Sequence, residues 1–306
     1  MPESAQEIVA QLSSGLQDAV ARAGQFTVLV NARRRQPASG IVWSADGLIL
    51  AAAHTIERDE GIEIGLPNDE RIAVTLVGRD PGSDLALLRA TDVELVAAPR
   101  ADAGAIAVGA LVLSVARPGP RGPVAALGIV SDVGGTWRAG RGNAIEGFLR
   151  TDSTMYPGFS GGPLVDIVGE ALAMNTSRYA SGGGGFAVPL SAAEPVVEAL
   201  LARGYVSRAF LGIASQPTAL PDTLAVKVSG QGEALLVVHV DEEGPAAKAG
   251  LLIGDLLVTV GAQPVRDTDD LLALLGPQRI GVPTALTVLR GGAVLELSIE
   301  PTERPA

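Results

Sequence analysis

The segment Pro157-Gly158-Phe159-Ser160-Gly161-Gly162-Pro163 places a serine in a glycine-rich turn between two apolar runs. A serine hydroxyl attacks a carbonyl only when a base takes its proton. Flanking glycines reach backbone dihedrals that other residues avoid, and they let amide N–H groups face a developing oxyanion. The same segment also reads as a plain glycine turn with an incidental hydroxyl. Bases are scarce, because His54, His239, Lys227 and Lys248 are all the histidines and lysines in the chain. His54 ends the apolar run 48–53, at the end of a predicted strand, where a β scaffold commonly presents functional side chains. A structural histidine there is the bland alternative. His239 lies inside a strand-like run, where a structural role is expected. Asp84, in Gly82-Ser83-Asp84-Leu85-Ala86-Leu87-Leu88, leads into an apolar strand and could orient a base. Taken singly, it marks a strand start.

These residues need a scaffold. From Gln25 to about Pro189 the chain is a series of short β-rich runs separated by turn signals. Phe26-Thr27-Val28-Leu29-Val30 is one run; Ile41-Val42-Trp43 and Leu48-Ile49-Leu50 flank Ala45-Asp46-Gly47, whose Asp-Gly pair suits a hairpin. Others lie at 72–77, 110–116, 124–131 and 169–174. Such spacing predicts an antiparallel sandwich or barrel rather than βαβ units. Before these runs, Ile8, Leu12, Leu16 and Val20 recur every fourth residue and Gly24 closes the segment, predicting an amphipathic packing helix over 1–24. After them, Ser191-Ala192-Ala193-Glu194 is a capping box for a linker helix over 191–204, stopped by Gly204. The last segment, 205–303, predicts a small α+β module. It has strands at 234–238, 256–260, 284–289 and 294–299, a short helix at 245–249, and Asp267 capping another that runs to Leu275.

Composition excludes several classes. The 306-residue chain has a net charge of −11, which argues against a nucleic-acid partner. It has no cysteine, which removes disulfides, thiol catalysis and thiolate metal sites. Two histidines are too few for a convincing zinc centre, so no metal and no cofactor are expected. Hydrophobic residues make up 47% and charged ones 19%, the balance of a globular protein. Aromatics are only 3%, so the core must be aliphatic. Met1-Pro2-Glu3-Ser4-Ala5-Gln6-Glu7 lacks the basic start and apolar block of a signal peptide, and no membrane span is expected. As it stands the sequence predicts a cytoplasmic protein, or a periplasmic or extracellular one if a leader has been trimmed. The glycine run 182–185 lacks the Lys-Ser or Lys-Thr of a phosphate loop and predicts a mobile loop. Arg33-Arg34-Arg35 predicts a solvated turn.

His54, Asp84 and Ser160 occur in the order of a chymotrypsin-type triad. Residues 25–300 resemble the HtrA (DegP-like) serine protease family: Ala51-Ala52-Ala53-His54 resembles its histidine motif, Ser83-Asp84-Leu85-Ala86-Leu87-Leu88 its aspartate motif, and Gly158-Phe159-Ser160-Gly161-Gly162-Pro163-Leu164 its nucleophile motif. The resemblance implies a mainly β chain, with a trypsin-like double β-barrel protease domain over 25–190 followed by a small α+β PDZ domain over 205–303. It implies Ser160 as nucleophile, His54 as proton shuttle, Asp84 as orienting carboxylate, and the Gly158 and Ser160 amides as oxyanion hole. One departure stands beside the nucleophile, where Phe159 replaces the family's usual Asn. Met174-Asn175-Thr176 and Gly185-Phe186-Ala187-Val188-Pro189 resemble the strands lining the family's specificity pocket. Thr154, Asn175, Thr176, Phe186 and Ala187 are therefore the expected pocket residues. With no acid among them, cleavage after small aliphatic residues is expected. Phe210-Leu211-Gly212-Ile213 resembles the PDZ carboxylate-binding loop, and Gly244-Pro245-Ala246-Ala247-Lys248-Ala249-Gly250-Leu251 the PDZ signature. The implied partners are unfolded polypeptides, C-terminal peptides at the PDZ domain and two further copies in a homotrimer. Two other readings stay open. One is a catalytically silent PDZ-based binding or chaperone-like protein. The other is an α/β-hydrolase esterase using G-x-S-x-G, which would need His239 as base and a helix directly after Ser160.

Overall fold

The computed structural model describes residues 5–34, 36–101, 104, 106–139, 143–179 and 184–303. The chain divides into two compact units: Met1–Trp137 with Ile145–Tyr205, and Arg138–Ala144 with Val206–Ala306.

The first unit opens with helix α1 (Ala5–Gln25). Its apolar spacing misleads in part: Ala19 and Ala23 are fully buried, whereas Ile8, Val9 and Leu12 are exposed. Only the C-terminal half packs, and small side chains let it approach the sheet closely. Buried Arg117 secures that end, donating from Nη2 to Gly24 O (2.9 Å) and from Nε to Thr27 O (2.8 Å). Desolvation lowers its affinity for a proton.

Strands β1 (Thr27–Asn31), β2 (Ala38–Ser44), β3 (Leu48–Ala52), β4 (Ile62–Gly65), β5 (Arg71–Asp80) and β6 (Leu85–Arg89) close a barrel in the order β1-β2-β3-β6-β5-β4. Turn 45–47 joins β2 to β3, as Asp46-Gly47 predicts. A second barrel uses β7 (Leu111–Ala116), β8 (Val124–Val133), β11 (Leu149–Thr151), β12 (Pro163–Val165), β13 (Ala171–Thr176) and β14 (Gly185–Pro189), in the order β11-β14-β13-β12-β7-β8. Between its β8 and β11, β9 (Thr136–Ala139) and β10 (Asn143–Glu146) form a two-stranded sheet. The cores are Ala, Val, Leu and Ile, joined by the buried rings of Phe26, Phe159 and Phe186. The ladders of both barrels are antiparallel, and Ser160 is followed by strand β12 rather than a helix. The esterase reading is thereby overturned, since its fold needs a parallel sheet and a helix at that point.

Helix α2 (Leu190–Arg203) packs on β5, β6, β13 and β14, so it touches both barrels. The expected capping box is not formed: the helix starts one residue before Ser191, with Pro189 as N-cap and no side-chain capping bond. Glu194 instead accepts from Arg100 Nη1 at 2.6 Å, and Arg100 lies 3.8 Å from the Trp43 ring centroid. Gly204 ends the helix in the left-handed conformation (φ 80°), donating to Leu200 O.

The second unit pairs β15 (Ala209–Phe210) with β22 (Thr302–Glu303). Strands β16 (Ile213–Ala219), β17 (Glu233–Val240), β18 (Leu256–Val260), β20 (Thr284–Arg290) and β21 (Ala293–Ile299) run in that order in one sheet, with β19 (Gln263–Pro264) beside β18. Helices α3 (Asp222–Ala225), α4 (Pro245–Lys248) and α5 (Thr268–Leu274) complete it; Asp267 caps α5 by accepting from the Asp270 N–H at 2.7 Å. Leu211, Leu235, Val260, Leu271 and Val288 are among the residues of its own core.

Inside this unit Asp255 is buried and accepts from Arg290 Nε and Nη2, each at 2.7 Å, and from the Leu252 N–H at 2.8 Å. Burial pushes its carboxyl up, but the Arg290 hydrogen bonds, the Leu252 N–H and the guanidinium charge outweigh that and hold it below 3.8. A carboxylate depressed in the folded state stabilises the fold at neutral pH, and this is lost as pH falls through its folded pKa. Acid below about pH 4 is therefore expected to weaken the second unit. Arg290→Met leaves a buried unpaired charge and is expected to cost about 3 kcal/mol at pH 7. It should also invert the acid dependence, because protonating an isolated buried carboxylate relieves its desolvation. Calorimetric unfolding of both chains at pH 7 and pH 3 checks both effects.

Candidate active site

His54 sits in a single helical turn, Ala53–Thr55, directly after β3, and Asp84 directly precedes β6. Ladder β3–β6 runs Ala52↔Leu85, so the pairing that builds the barrel also brings the histidine to the carboxylate. Asp84 is fully buried and has φ 60°, a conformation uncommon outside glycine and tolerated best by Asp and Asn. The surroundings hold it there. Its carbonyl accepts from the Ala53 N–H (2.9 Å), Oδ1 accepts from the His54 N–H (2.8 Å), and Oδ2 faces His54 Nδ1 at 2.7 Å. The Thr176 hydroxyl donates to the same Oδ2 at 2.6 Å. Asp80 steadies the approach, accepting at Oδ2 from the Ser83 N–H (2.9 Å) and hydroxyl (2.7 Å), while the Tyr179 hydroxyl donates to Gly82 O at 2.8 Å. Burial, with the Asp84 charge nearby, pushes the Tyr179 phenol well up, so it remains a neutral donor. A carboxylate on Nδ1 keeps the proton there and leaves the Nε2 lone pair free to act as a base.

The nucleophile loop is held from β2. Ser39 donates its N–H to Ser160 O (3.1 Å) and its hydroxyl to Gly158 O (2.8 Å), while its Oγ accepts from the Arg117 N–H (2.8 Å). The glycines are sterically required. A Cβ on Gly161 would lie 2.0 Å from Ser39 O, and one on Gly158, at φ 93°, would lie 2.6 Å from Pro118 Cβ. Phe159 is fully buried, meets Tyr156 edge-on at 5.6 Å, and donates its N–H to Tyr156 O at 3.1 Å. The large ring that replaces the usual Asn thus anchors the loop from below. Among the described hydrogen bonds the Gly158 and Ser160 N–H groups donate to nothing, and they flank the Phe159 N–H that does. Two unengaged amides beside a hydroxyl can receive a developing oxyanion. Ser160 Oγ lies 2.9 Å from Ser177 Oγ and accepts from the Ser177 N–H at 3.2 Å.

The expected pocket residues do not share one surface. Neighbouring positions of a strand face opposite sides, so Asn175 and Thr176, or Phe186 and Ala187, cannot line one pocket together through their side chains. Thr176 serves Asp84. Asn175 is buried, donating to Pro163 O (2.8 Å) and accepting from the Ser114 hydroxyl (3.3 Å). Ala187 belongs to the barrel core with Leu149 and Leu164. Thr154 is exposed on the segment between β11 and Ser160. Phe186 is buried, stacked on Phe148 (5.1 Å) and edge-on to Tyr179 (5.4 Å). Sequence reasoning missed Ser39, Ser177 and Tyr179, whose contributions arise from long-range contacts without a local motif. Arg33 and Arg34 lie in an exposed or half-buried turn, with Arg35 outside the described residues, as are 182 and 183 of the glycine run.

In the second unit, Phe210 ends β15, Gly212 has φ 78°, and Ile213 starts β16. Leu211 O and Gly212 O accept from the Ala246 and Asp241 N–H groups, both within 2.9 Å. The Leu211 and Gly212 N–H groups have no partner among the described residues, and β16 ends the sheet order. His239 lies on β17 opposite Ala214.

Comparison with known proteins matches residues 38–174 to the trypsin-like peptidase domain and residues 211–300 to the PDZ domain. A probable periplasmic serine endoprotease DegP-like of Pseudomonas fulva (strain 12-X) is 33% identical over 273 residues, covering 88% of this chain and 56% of that protein. Its counterpart in Brucella suis biovar 1 (strain 1330) is 32% identical over 267 residues, covering 85% and 51%. The chain thus spans about half the length of the curated relatives it matches. The crystal structure of the serine endoprotease from Yersinia pestis is similar with TM-score 0.74 and 30% identity, covering 95% of this chain and 98% of that one. The HtrA-type protease AlgW with decapeptide is similar with TM-score 0.75 and 28% identity, covering 95% and 99%.

Proposed function

Because the chain belongs to the HtrA (DegP-like) family of serine proteases, we propose that it is a serine endopeptidase that hydrolyses unfolded or damaged polypeptides. The observation that carries the reading is the buried Asp84, fixed to the backbone and Nδ1 of His54 and to the Thr176 hydroxyl, with Ser160 in the neighbouring loop. Ser160 attacks the scissile carbonyl, His54 Nε2 takes its proton and returns it to the leaving amine, and the Gly158 and Ser160 amides stabilise the oxyanion. Thr154, exposed on the segment before Ser160, offers no carboxylate to a basic side chain, and on the family resemblance we propose cleavage after small aliphatic residues. A peptide library cleaved mainly after Arg or Lys overturns this preference.

We assign 25–190 to the protease domain, 191–204 to the linker helix and 205–303 to the PDZ domain. Residues 210–213 bind a C-terminal carboxylate through the unengaged amides, and the peptide adds as a strand beside β16. A peptide with a free apolar C-terminus is expected to bind the full-length Ser160→Ala chain at least tenfold more tightly than its amidated form, because the carboxylate supplies charge-assisted hydrogen bonds. Equal affinities by calorimetric titration overturn the assignment. The named relatives are periplasmic, and we place this protein there too; the cytoplasmic expectation finds no support among them. No helix of the described residues is long and apolar enough to cross a membrane. A homotrimer is proposed on the family resemblance and is tested by analytical ultracentrifugation.

The experiment for the whole reading is hydrolysis of unfolded casein by the wild type beside Ser160→Ala. Cleavage by the first and not the second supports it. Absence of cleavage by both, with C-terminal peptides added, favours the binding-protein reading.

A further inference from the structure

The hydrogen bonds around Ser160 contain a group that the triad does not need. Among the described hydrogen bonds none joins Ser160 to His54 directly. The Ser177 hydroxyl stands between them, 2.9 Å from Ser160 Oγ and 3.4 Å from His54 Nε2. The Ser177 N–H also donates to Ser160 Oγ at 3.2 Å.

The directions of these bonds follow from the other end of the imidazole. With the ring neutral, the Asp84 carboxylate at Nδ1 keeps the proton on that nitrogen, so Nε2 can only accept. Ser177 must then donate to Nε2. Its oxygen is left to accept, and the proton it accepts is that of Ser160. The reverse orientation would aim the Ser177 lone pairs at the Nε2 lone pair. The chain therefore reads Ser177 N–H to Ser160 Oγ, Ser160 O–H to Ser177 Oγ, and Ser177 O–H to His54 Nε2. In this arrangement the Ser160 proton points at Ser177, not at its base.

Resting on the protease reading above, we propose that Ser177 is a positioning residue that holds the nucleophile in a resting rotamer, so that Ser160 must exchange Ser177 for His54 before it can attack. The long 3.4 Å contact at Nε2 and the shorter 2.9 Å contact at Ser160 favour a hold on the serine over a two-step proton relay. Its place suits the task. Ser177 follows Thr176, the end of β13 that donates to Asp84, so the end of one strand touches both ends of the triad. Ser177 is itself exposed, so substrate arriving over Ser160 can displace its hydroxyl without disturbing the core.

The test measures the second-order rate of fluorophosphonate labelling of Ser160 in full-length wild type, Ser177→Ala, Ser177→Thr and Ser160→Ala, beside kcat and KM on an aliphatic peptide substrate. Removing one neutral hydrogen bond that opposes activation is expected to raise the labelling rate and kcat about three- to tenfold, with KM little changed. Ser177→Thr keeps the hydroxyl and is expected to restore a rate within about twofold of wild type. A fall of a hundredfold or more in Ser177→Ala, rescued by Thr, overturns the hold and makes Ser177 a relay. An unchanged rate in Ser177→Ala overturns it as well, leaving the contact without kinetic weight. If neither the wild type nor Ser177→Ala takes the probe, with both folded by circular dichroism, the triad reading itself fails and the hold falls with it.

Discussion

Ser160→Ala is expected to lower casein hydrolysis by about five powers of ten, with the thermal midpoint within a degree or two of wild type. The size of the effect follows from how the loop is built. Ser39 holds the Ser160 and Gly158 carbonyls, and Phe159 is buried beneath them, so the backbone of the loop does not depend on the Ser160 hydroxyl. The substitution removes one oxygen whose described partners are Ser177 groups, and leaves the free Gly158 and Ser160 amides in place. What survives is the contribution of oxyanion stabilisation and binding, about three to four powers of ten over water in such triads. A mutant that retains 1% of wild-type turnover on purified, homogeneous protein would show that the proton donor and nucleophile lie elsewhere. Fluorophosphonate labelling followed by peptide mapping locates the reactive residue independently of substrate choice.

Asp84→Asn should cost about four powers of ten in kcat while leaving the fold intact. The substitution is isosteric, and Asn is the residue that best matches Asp at a positive φ, here 60°. The His54 and Thr176 donors, however, converge on a carboxylate. Oδ2 accepts from both Nδ1 (2.7 Å) and the Thr176 hydroxyl (2.6 Å), and Oδ1 accepts from the His54 N–H. An amide offers one oxygen and one NH2. If its NH2 faces Nδ1, the imidazole proton moves to Nε2 and the base is lost; if it faces the His54 N–H, two donors meet. Asp84→Ala is the informative contrast, because it adds backbone strain at a fully buried site and is expected to lower the thermal midpoint by several degrees. Activity lost in both variants, with stability lost mainly in the second, separates the electrostatic role of Asp84 from its backbone role. Full activity in Asp84→Asn would overturn the assignment of His54 as a base oriented by this carboxylate.

The motifs around His54, Asp84 and Ser160 are local and were legible in the chain, as was the antiparallel β character of the first unit. Both follow from short-range rules: glycines where the backbone must turn tightly, aliphatic runs bounded by turn residues, and Asp46-Gly47 in a hairpin. The helix ends were half legible. Gly204 stops α2 through its own conformation, but Ser191 does not start it, because Pro189 opens the helix earlier and Arg100, 94 positions from Glu194 in sequence, claims the carboxylate. The spacing in α1 marked a helix without revealing that Ile8, Val9 and Leu12 are exposed. The expected pocket residues have different surroundings for a stricter reason. A motif names consecutive residues, whereas a strand sends consecutive side chains to opposite faces, so Asn175 and Thr176 serve different surroundings. Which residue serves which is decided by what folds against each face: Pro163 and Ser114 on one side, Asp84 on the other. Ser39, Tyr179 and Ser177 carry no local mark, since each acts on a partner brought close only when the barrels close. The residue types needed for the chemistry, and the turns that present them, were set by the sequence alone. Which hydroxyl meets which carboxylate or imidazole was decided by the tertiary structure, because hydrogen bonds at 2.6 to 3.4 Å depend on contacts between segments 17 to 123 residues apart.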